Sequence, residues 1–162
     1  MRNRFGIASV AAVVLAVACV GLASASSSDD TSRTFTVFSK TVQFAQIDLG
    51  DPGTSLGDQD VFSDDLLTEK DGDTVGFDGG VCTLVRRDEA SKTDTVQCVV
   101  TFSLEGGQIA TQALLTLHEG HFSGTEVGPV TGGSGDFRGA SGEVSVKFFS
   151  DTEADITFML DD

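Results

Sequence analysis

VGPVTGGSGDFRGASGEVSV, residues 127–146, is the stretch that decides the fold of this chain. Five of its glycines, at positions 132, 133, 135, 139 and 142, fall within eleven residues, and apolar strand formers flank them on both sides. Glycine allows positive φ and close backbone approach, so this density predicts a strand, a tight reversal and a second strand. A phosphate-binding loop is disfavoured because neither a Gly-Lys-Ser/Thr sequence nor an amphipathic helix follows the glycines.

The rest of the chain repeats this pattern of short strands and turns. Apolar or alternating segments are separated by clusters of Gly, Asp, Ser and Pro, and no segment has a helical period. Gly79 and Gly80 interrupt one strand, which predicts a bulge or kink there. About eight strands at this spacing predict an all-β barrel or sandwich. A barrel of eight strands is filled by side chains or holds one small ligand.

The N-terminus has the pattern of a secretory signal peptide. A basic start at Arg2 and Arg4 precedes an uncharged stretch, residues 5–22, and an Ala-x-Ala site ending at Ala25. We expect residues 1–25 to be removed and the protein to be secreted, with Cys19 as an alternative lipoprotein site. Residues 26–34 form a flexible lead-in, and residues 35–162 form the single domain.

The net charge limits the partners of the protein. It is −15 for the whole chain and becomes −17 when Arg2 and Arg4 are removed with the signal peptide. A chain this acidic is repelled by phosphate backbones, so we expect no nucleic-acid partner. The acidic residues do not form an Asp-x-Asp-x-Asp-Gly calcium loop.

Two cysteines, Cys82 and Cys98, remain in the exported chain, and an even pair in that setting predicts a disulfide. Ala90 is the midpoint between them and lies in a charged, turn-like stretch. In an antiparallel hairpin centred there, position 82 faces position 98. The bridge would stabilise the fold by roughly 3 kcal/mol. A free catalytic thiol is the competing interpretation.

Both faces of this predicted hairpin are apolar. Cys82, Leu84 and the even-numbered residues 96–104 share the face that we expect to point inward. The other face carries Val81, Val85 and Val99, and a sheet that is apolar on both sides is covered on both sides. We therefore expect a second subunit to pack on the outer face. The chain also has twelve Phe and no Tyr or Trp, which suits either a filled core or an apolar lumen for a hydrophobic small molecule.

Carboxylates are the main candidates for chemistry. Asp64 and Asp65 are neighbours in a strand pattern, so one of them should point inward, where a carboxylate can act as an acid or a base. The alternative is a surface position on a very acidic protein. His118 and His121 do not predict a metal site, because Gly120 argues against a helix and residues three apart on a strand face opposite sides. Neither a hydrolytic triad nor a cofactor motif is present, so we expect no cofactor.

The glycine-rich stretch resembles the late strand-turn-strand segment of the allene oxide cyclase and dirigent superfamily. The resemblance covers residues 44–160 and also rests on LGDQDVFSDDLLTE (56–69), VGFDGGVCTLV (75–85), TVQCVVTFSLEGGQIATQ (95–112) and TFML (157–160). It implies an eight-stranded antiparallel β-barrel, commonly trimeric, with a hydrophobic lumen. Family members hold a reactive apolar molecule in one conformation, which is catalysis by orientation.

The resemblance also implies roles for individual residues. Phe62 matches a lumenal aromatic residue of the cyclases, and Asp64 stands where they have a polar Asn. Gln46 and Asp48 match the ends of an early Glu-Ile-Asn segment, so the acidic Glu is replaced by Gln46. Cys82 falls on a cyclase cysteine, whereas the lumenal Tyr of the cyclases has no counterpart. Arg138 matches one of two arginines in a late dirigent segment.

These observations support two functions. In the first, a secreted barrel binds a small hydrophobic metabolite and orients it, as a cofactor-free cyclase or isomerase or as a dirigent-like auxiliary. Asp64 would then act as an acid or base or orient the substrate, with Phe62 and Phe102 lining the lumen. In the second, an exported barrel has a binding or structural role without catalysis, and its own side chains fill the lumen. In either case we expect a homotrimer or another homo-oligomer.

Overall fold

The computed structural model describes residues 32–161. The predicted signal peptide, Cys19 and most of the lead-in lie outside these residues. Eight antiparallel strands form a closed barrel in chain order, each bonded to its sequence neighbours and the last to the first, which confirms the predicted fold. The strands are β1 (Arg33–Ile47), β2 (Gln59–Leu67), β3 (Thr74–Asp88), β4 (Thr93–Leu104), β5 (Gly107–His118), β6 (Thr125–Gly135), β7 (Ser141–Ser150) and β8 (Glu153–Asp161).

The side chains of β1 change face partway along the strand. Its register against β2 shifts between Thr41 and Gln43. Val37 and Thr41 face the lumen before this irregularity, and Phe44 and Gln46 line the cavities inside the barrel after it. A bulge inserts one residue and so exchanges the two faces of a strand. The bulge therefore turns Phe44 to the wall of a cavity at this end of the barrel, where its side chain is still 61% exposed.

The glycine-rich stretch forms the predicted reversal, but the strand runs further into it than expected. β6 continues through Gly132 and Gly133 to Gly135, and the reversal itself follows at residues 136–140. Gly133 pairs with Ile109 of β5, and a Cβ on it would lie 2.9 Å from the carbonyl oxygen of Gln108. Such an approach is closer than van der Waals contact, so this position of β6 accepts only glycine.

The predicted bulge at Gly79 and Gly80 is wrong. β3 pairs without a register shift through both residues, with Phe62 opposite Gly80 on β2 and Val100 opposite it on β4. A Cβ at position 80 would lie 2.6 Å from Cζ of Phe62 and 3.0 Å from Cγ2 of Val100. The absence of a side chain at Gly80 therefore leaves room for the ring of Phe62 inside the lumen.

The predicted hairpin and disulfide are confirmed. β3 and β4 pair with Cys82 opposite Cys98, and the two cysteines are bonded. Both are buried in a small core cluster with Leu84, Val96 and Leu117. On the outside of the barrel, Val61, Val81 and Val99 are opposite one another across β2, β3 and β4.

Within residues 32–161, no helix has the length and apolarity to span a bilayer.

Candidate functional site

The lumen of the barrel is divided into a filled half and an open half. In the filled half, a core cluster that includes Leu66, Phe102, Ile109 and Phe158 occupies the interior. Phe102 and Phe158 pack edge to face with their ring centres 5.0 Å apart. The open half lies towards the loops that follow β1, β3, β5 and β7, and it contains two adjoining cavities.

The deeper cavity is small and mostly apolar. Its volume is about 130 Å³. Aromatic and aliphatic side chains form most of its wall, and the rings of Phe122 and Phe148 stack there with centres 4.9 Å apart. The disulfide between Cys82 and Cys98 closes one side. The remaining apolar lining residues are Phe44, Phe62, Val100, Leu115, Val146, Ala154 and Ile156.

Asp64 is the buried carboxylate of this cavity. Its side chain is 8% exposed and lies between the cavity and the filled half. The hydroxyl of Ser39 on β1 donates a hydrogen bond to Oδ2 of Asp64 at 2.7 Å. The other oxygen, Oδ1, is buried and has no hydrogen-bond partner among residues 32–161. A buried carboxylate oxygen without a donor is costly, and such groups concentrate at functional sites.

Asp78 lies directly behind Asp64. The two residues are opposite each other on β2 and β3, and the backbone N–H of Asp64 donates to Oδ1 of Asp78 at 3.2 Å. The Asp78 side chain is 1% exposed and is not part of the cavity wall. Burial, with a second contribution from the charge of Asp64, raises the pKa of Asp78 to about 8. Asp78 is therefore mostly protonated at neutral pH, and the two carboxyl groups do not both carry a charge.

A wider and more polar cavity of about 280 Å³ forms the mouth. It shares Asp60 and Cys82 with the deeper cavity, so the two spaces adjoin. Backbone N–H groups of Ser55 and Leu49 donate to the Asp58 carboxylate and lower its pKa. Burial raises the pKa of Asp60, although Gln46 Nε2 donates to its Oδ1 at 3.3 Å. The Asp58 carboxylate thus holds the loop between β1 and β2 in place through its hydrogen bonds with Leu49 and Ser55.

The structure distributes the residues predicted from the sequence over four places. Asp64 and Phe62 meet at the deeper cavity, and Gln46 and Asp48 line the mouth. Phe102 points into the lumen but belongs to the filled half. Arg138 is exposed in the turn after β6, at the opposite end of the barrel from the mouth.

The two histidines lie outside both cavities. His118 and His121 are exposed, and Nδ1 of His121 lies 2.8 Å from Oδ2 of Asp151. No group of three or more metal-binding side chains occurs within residues 32–161.

The sequence prediction missed Asp78, although strand parity could have found it, because positions 78, 80, 82 and 84 share one face of β3. Since Cys82 and Leu84 were predicted to point inward, the same alternation predicts that Asp78 points inward as well.

Comparison with known proteins shows the family. The model of the allene oxide cyclase barrel like domain matches residues 34–158, and the chain therefore belongs to this family. A solved structure of pyocyanin demethylase is 32% identical, with a TM-score of 0.66, and the match covers 79% of this chain and 99% of the other. A comparison with curated proteins found no match.

Two more distant structures share the fold. A pterocarpan synthase dirigent protein is 17% identical with a TM-score of 0.61, over 81% of this chain and 83% of its own. The Diels Alderase AbmU from Streptomyces koyangensis is 10% identical with a TM-score of 0.62, over 84% of this chain and 70% of its own. At these identities the likeness shows the fold alone. The fold, with an open apolar cavity inside it, fits a ligand-binding barrel of the cyclase type.

Proposed function

We propose that the protein binds a small hydrophobic metabolite in the open half of the barrel and orients it against Asp64. The observation that carries this proposal is a buried carboxylate in the lining of an apolar cavity: Asp64, whose Oδ1 has no hydrogen-bond partner among residues 32–161. Small-molecule sites combine an apolar wall with a few placed polar groups in this way. Pyocyanin demethylase, at 32% identity, is a relative whose name describes action on a small molecule.

The chemistry that this arrangement supports is a cyclisation or isomerisation without a cofactor, or a dirigent-like orienting role. Asp64 touches the cavity and could accept a proton from the bound molecule or return one to it. Asp78 acts through Asp64, because its neutral carboxyl avoids a second buried charge and contacts the Asp64 backbone. Enclosure by apolar walls would restrict the conformations of the bound molecule and so favour one product.

The alternative function is an exported barrel with a binding or structural role and no turnover. The filled half supports it, because Phe102, Phe158 and their neighbours already occupy much of the lumen. The two functions differ in the open half: the alternative requires that side chains close the space beside Asp64 in solution. Binding of a small molecule there distinguishes them.

We further propose that the protein is exported and that its outer face joins copies of the chain. The sequence pattern of residues 1–25 supports export. The row of Val61, Val81 and Val99 on the outer face supports assembly, because apolar side chains that adjoin one another on the surface mark an interaction site. Light scattering after size-exclusion chromatography should give a trimer or another oligomer, and a clean monomer would contradict this part of the proposal.

Native mass spectrometry of the mature protein from its own host's culture medium tests the main proposal. We expect a bound small molecule, whose mass gives the chemical class to assay for cyclisation or coupling. The same spectrum gives the N-terminus and the oligomeric state. A bare protein that also fails to take up added apolar compounds would favour the filled, non-catalytic barrel.

A further inference from the structure

We propose that the open half of the barrel selects a cationic apolar molecule, such as an aromatic or aliphatic ammonium compound, and places its positive charge against the buried carboxylate of Asp64. This inference rests on the proposed binding function and narrows its ligand to one chemical class. Three separate features of the open half support it: the buried Asp64 carboxylate, the aromatic rings that line the same cavity and the charges of the mouth.

The first feature is the state of Asp64. The side chain is 92% buried, since its exposed fraction is 8%, and only Oδ2 receives a hydrogen bond. Asp64 lines the deeper cavity, and its Oδ1 is buried and lacks a donor within residues 32–161. An ammonium group supplies both a donor and a compensating charge, and a charge-assisted hydrogen bond is about twice as strong as a neutral one. A neutral ligand with a hydroxyl supplies only the donor.

The second feature is the aromatic wall. Four phenylalanines, from β1, β2, β7 and the loop after β5, line the deeper cavity together with Asp64: Phe44, Phe62, Phe122 and Phe148. The face of an aromatic ring is the negative end of its quadrupole and attracts cations by roughly 0.5–2 kcal/mol. A carboxylate combined with several aromatic rings in one cavity favours a cation that also has an apolar body.

The third feature is the charge of the entrance. Asp48, Asp58, Asp60 and Asp94 line the mouth, and no Lys, Arg or His lines either cavity in the part of the chain that the structure describes. Outside the mouth, Arg87 is bonded to Asp94 at 3.2 Å and to the carbonyl oxygen of Thr54 at 2.6 Å. Outside the deeper cavity, Nδ1 of His121 lies 2.8 Å from Oδ2 of the lining residue Asp151. A cleft lined by one sign of charge concentrates ligands of the opposite sign.

The carboxylates of the mouth and of the deeper cavity also disfavour anionic ligands. An anionic ligand would meet the mouth carboxylates first and then place a second negative charge beside Asp64 in a mostly apolar cavity. Like charges at such distances cost more inside a protein than in water, because the effective dielectric is lower. The cavity should therefore rank ligands of one shape in the order cation, neutral molecule, anion.

Three probes that share one ring system test this order. They are 1-naphthylmethylamine, a cation at neutral pH, 1-naphthylmethanol, which is neutral, and 1-naphthoate, an anion. The chain has no Trp or Tyr, so naphthyl fluorescence can be followed without a protein background. Affinities are measured at low and high salt for the wild type, for Asp64→Asn and for Glu105→Gln. Glu105 is an exposed carboxylate in the turn between β4 and β5, remote from the mouth, and is the matched control.

We expect the amine to bind about tenfold more tightly than the alcohol, and the naphthoate to bind most weakly. Salt should weaken binding of the amine but not of the alcohol. The Asp64→Asn variant should remove the preference, while Glu105→Gln should retain it. The amine should also displace the alcohol, since both occupy one cavity. If Asp64→Asn does not fold, the order of the three probes and its salt dependence in the wild type still test charge selection, and Asp64→Glu, which keeps the charge but moves it, tests the role of Asp64.

The remaining outcomes overturn the inference in distinguishable ways. Equal binding of the amine and the alcohol, or preference for the naphthoate, would disprove charge selection and leave the lumen as a binding site. A cation preference that survives Asp64→Asn would disprove the role of Asp64. Failure of all three probes to bind would contradict the proposed function and this inference together.

Discussion

Asp64 and Asp78 face each other across β2 and β3, with the backbone N–H of Asp64 donating to Oδ1 of Asp78 at 3.2 Å. Two carboxyl groups placed opposite each other on one face of a sheet destabilise it when both are charged. The structure avoids this conflict by holding a proton on Asp78, whose pKa is raised to about 8 by burial and by the charge of Asp64. Because only Asp64 reaches the cavity, the pair presents one carboxylate to a ligand.

The first prediction concerns stability as a function of pH. Asp78 has a pKa of about 8 in the folded protein and an ordinary value of 3.8. Between these values the folded state holds a proton that the unfolded state releases, so stability falls as pH rises, by at most about 1.4 kcal/mol per pH unit. Asp78→Asn is neutral at every pH and should lose this component of the slope.

Urea unfolding of wild type and Asp78→Asn at several values between about pH 4 and pH 9 measures the difference. The stability of the variant relative to the wild type should increase across this range, and the other titrating groups cancel in the comparison. A difference that stays constant with pH would mean that Asp78 does not have a raised pKa.

The second prediction concerns the role of Asp64 in turnover. Once a substrate is identified, Asp64→Asn should lower the rate about 10²–10⁴-fold if the carboxylate transfers a proton. Asp65→Asn is the matched control, because the next residue of β2 points to the other face and pairs with Lys40 and Phe77. Full activity in Asp64→Asn would remove the proton-transfer role, while an altered product ratio at unchanged rate would indicate an orienting role.

The third prediction concerns the disulfide. Replacing Cys82 and Cys98 together by Ala should lower the free energy of unfolding by about 3 kcal/mol, since the bridge closes a loop of 16 residues in the unfolded chain. Chemical denaturation with and without a reductant measures it. The wild type should lose stability when reduced, and the double variant should not respond. An equal response in both would show that the reductant acts elsewhere.

The fourth prediction concerns Gly80 and its neighbour. Gly80→Ala adds a Cβ that would lie 2.6 Å from Cζ of Phe62, so the ring must move, at a cost of about 1–3 kcal/mol. Gly79→Ala faces outward, and its Cβ would meet nothing closer than 3.9 Å. Thermal unfolding should separate the two variants, with Gly79→Ala as stable as the wild type. Equal stability of both would show that Phe62 is not confined by Gly80.

Much of this fold could be predicted from the alternation of side chains. The turn-like stretch around Ala90 placed Cys82 opposite Cys98, and the apolar period of β3 and β4 placed both cysteines on the inner face, because the period of a strand is two. The same parity would have placed Asp78 in the lumen. Asp64 could be assigned only as one of two neighbouring carboxylates, since the choice between it and Asp65 depends on which face of β2 turns inward.

Other parts of the site depend on contacts that a linear pattern does not contain. Phe44 reaches the cavity wall through the bulge between Thr41 and Gln43, and nothing in that segment marks an inserted residue. Phe102 packs in the filled half, whereas Phe62 lines the deeper cavity. Which of the two a lumenal Phe does depends on the volumes of the side chains packed around it, and a linear pattern does not contain these. Gly80 was predicted to break a strand, whereas it accommodates a ring from the adjacent strand.

The central claim, that the open half of the lumen is a binding site, is tested most directly by closing it. Leu115 lines the deeper cavity, and its neighbour Leu114 is 63% exposed on the outer face of β5. Binding of a neutral fluorescent naphthyl compound is measured for wild type, Leu115→Phe and Leu114→Phe. We predict that Leu115→Phe weakens binding about tenfold or more by filling the cavity, while Leu114→Phe binds like the wild type. Equal affinity in all three proteins would contradict the account, because the compound would then bind outside the lumen.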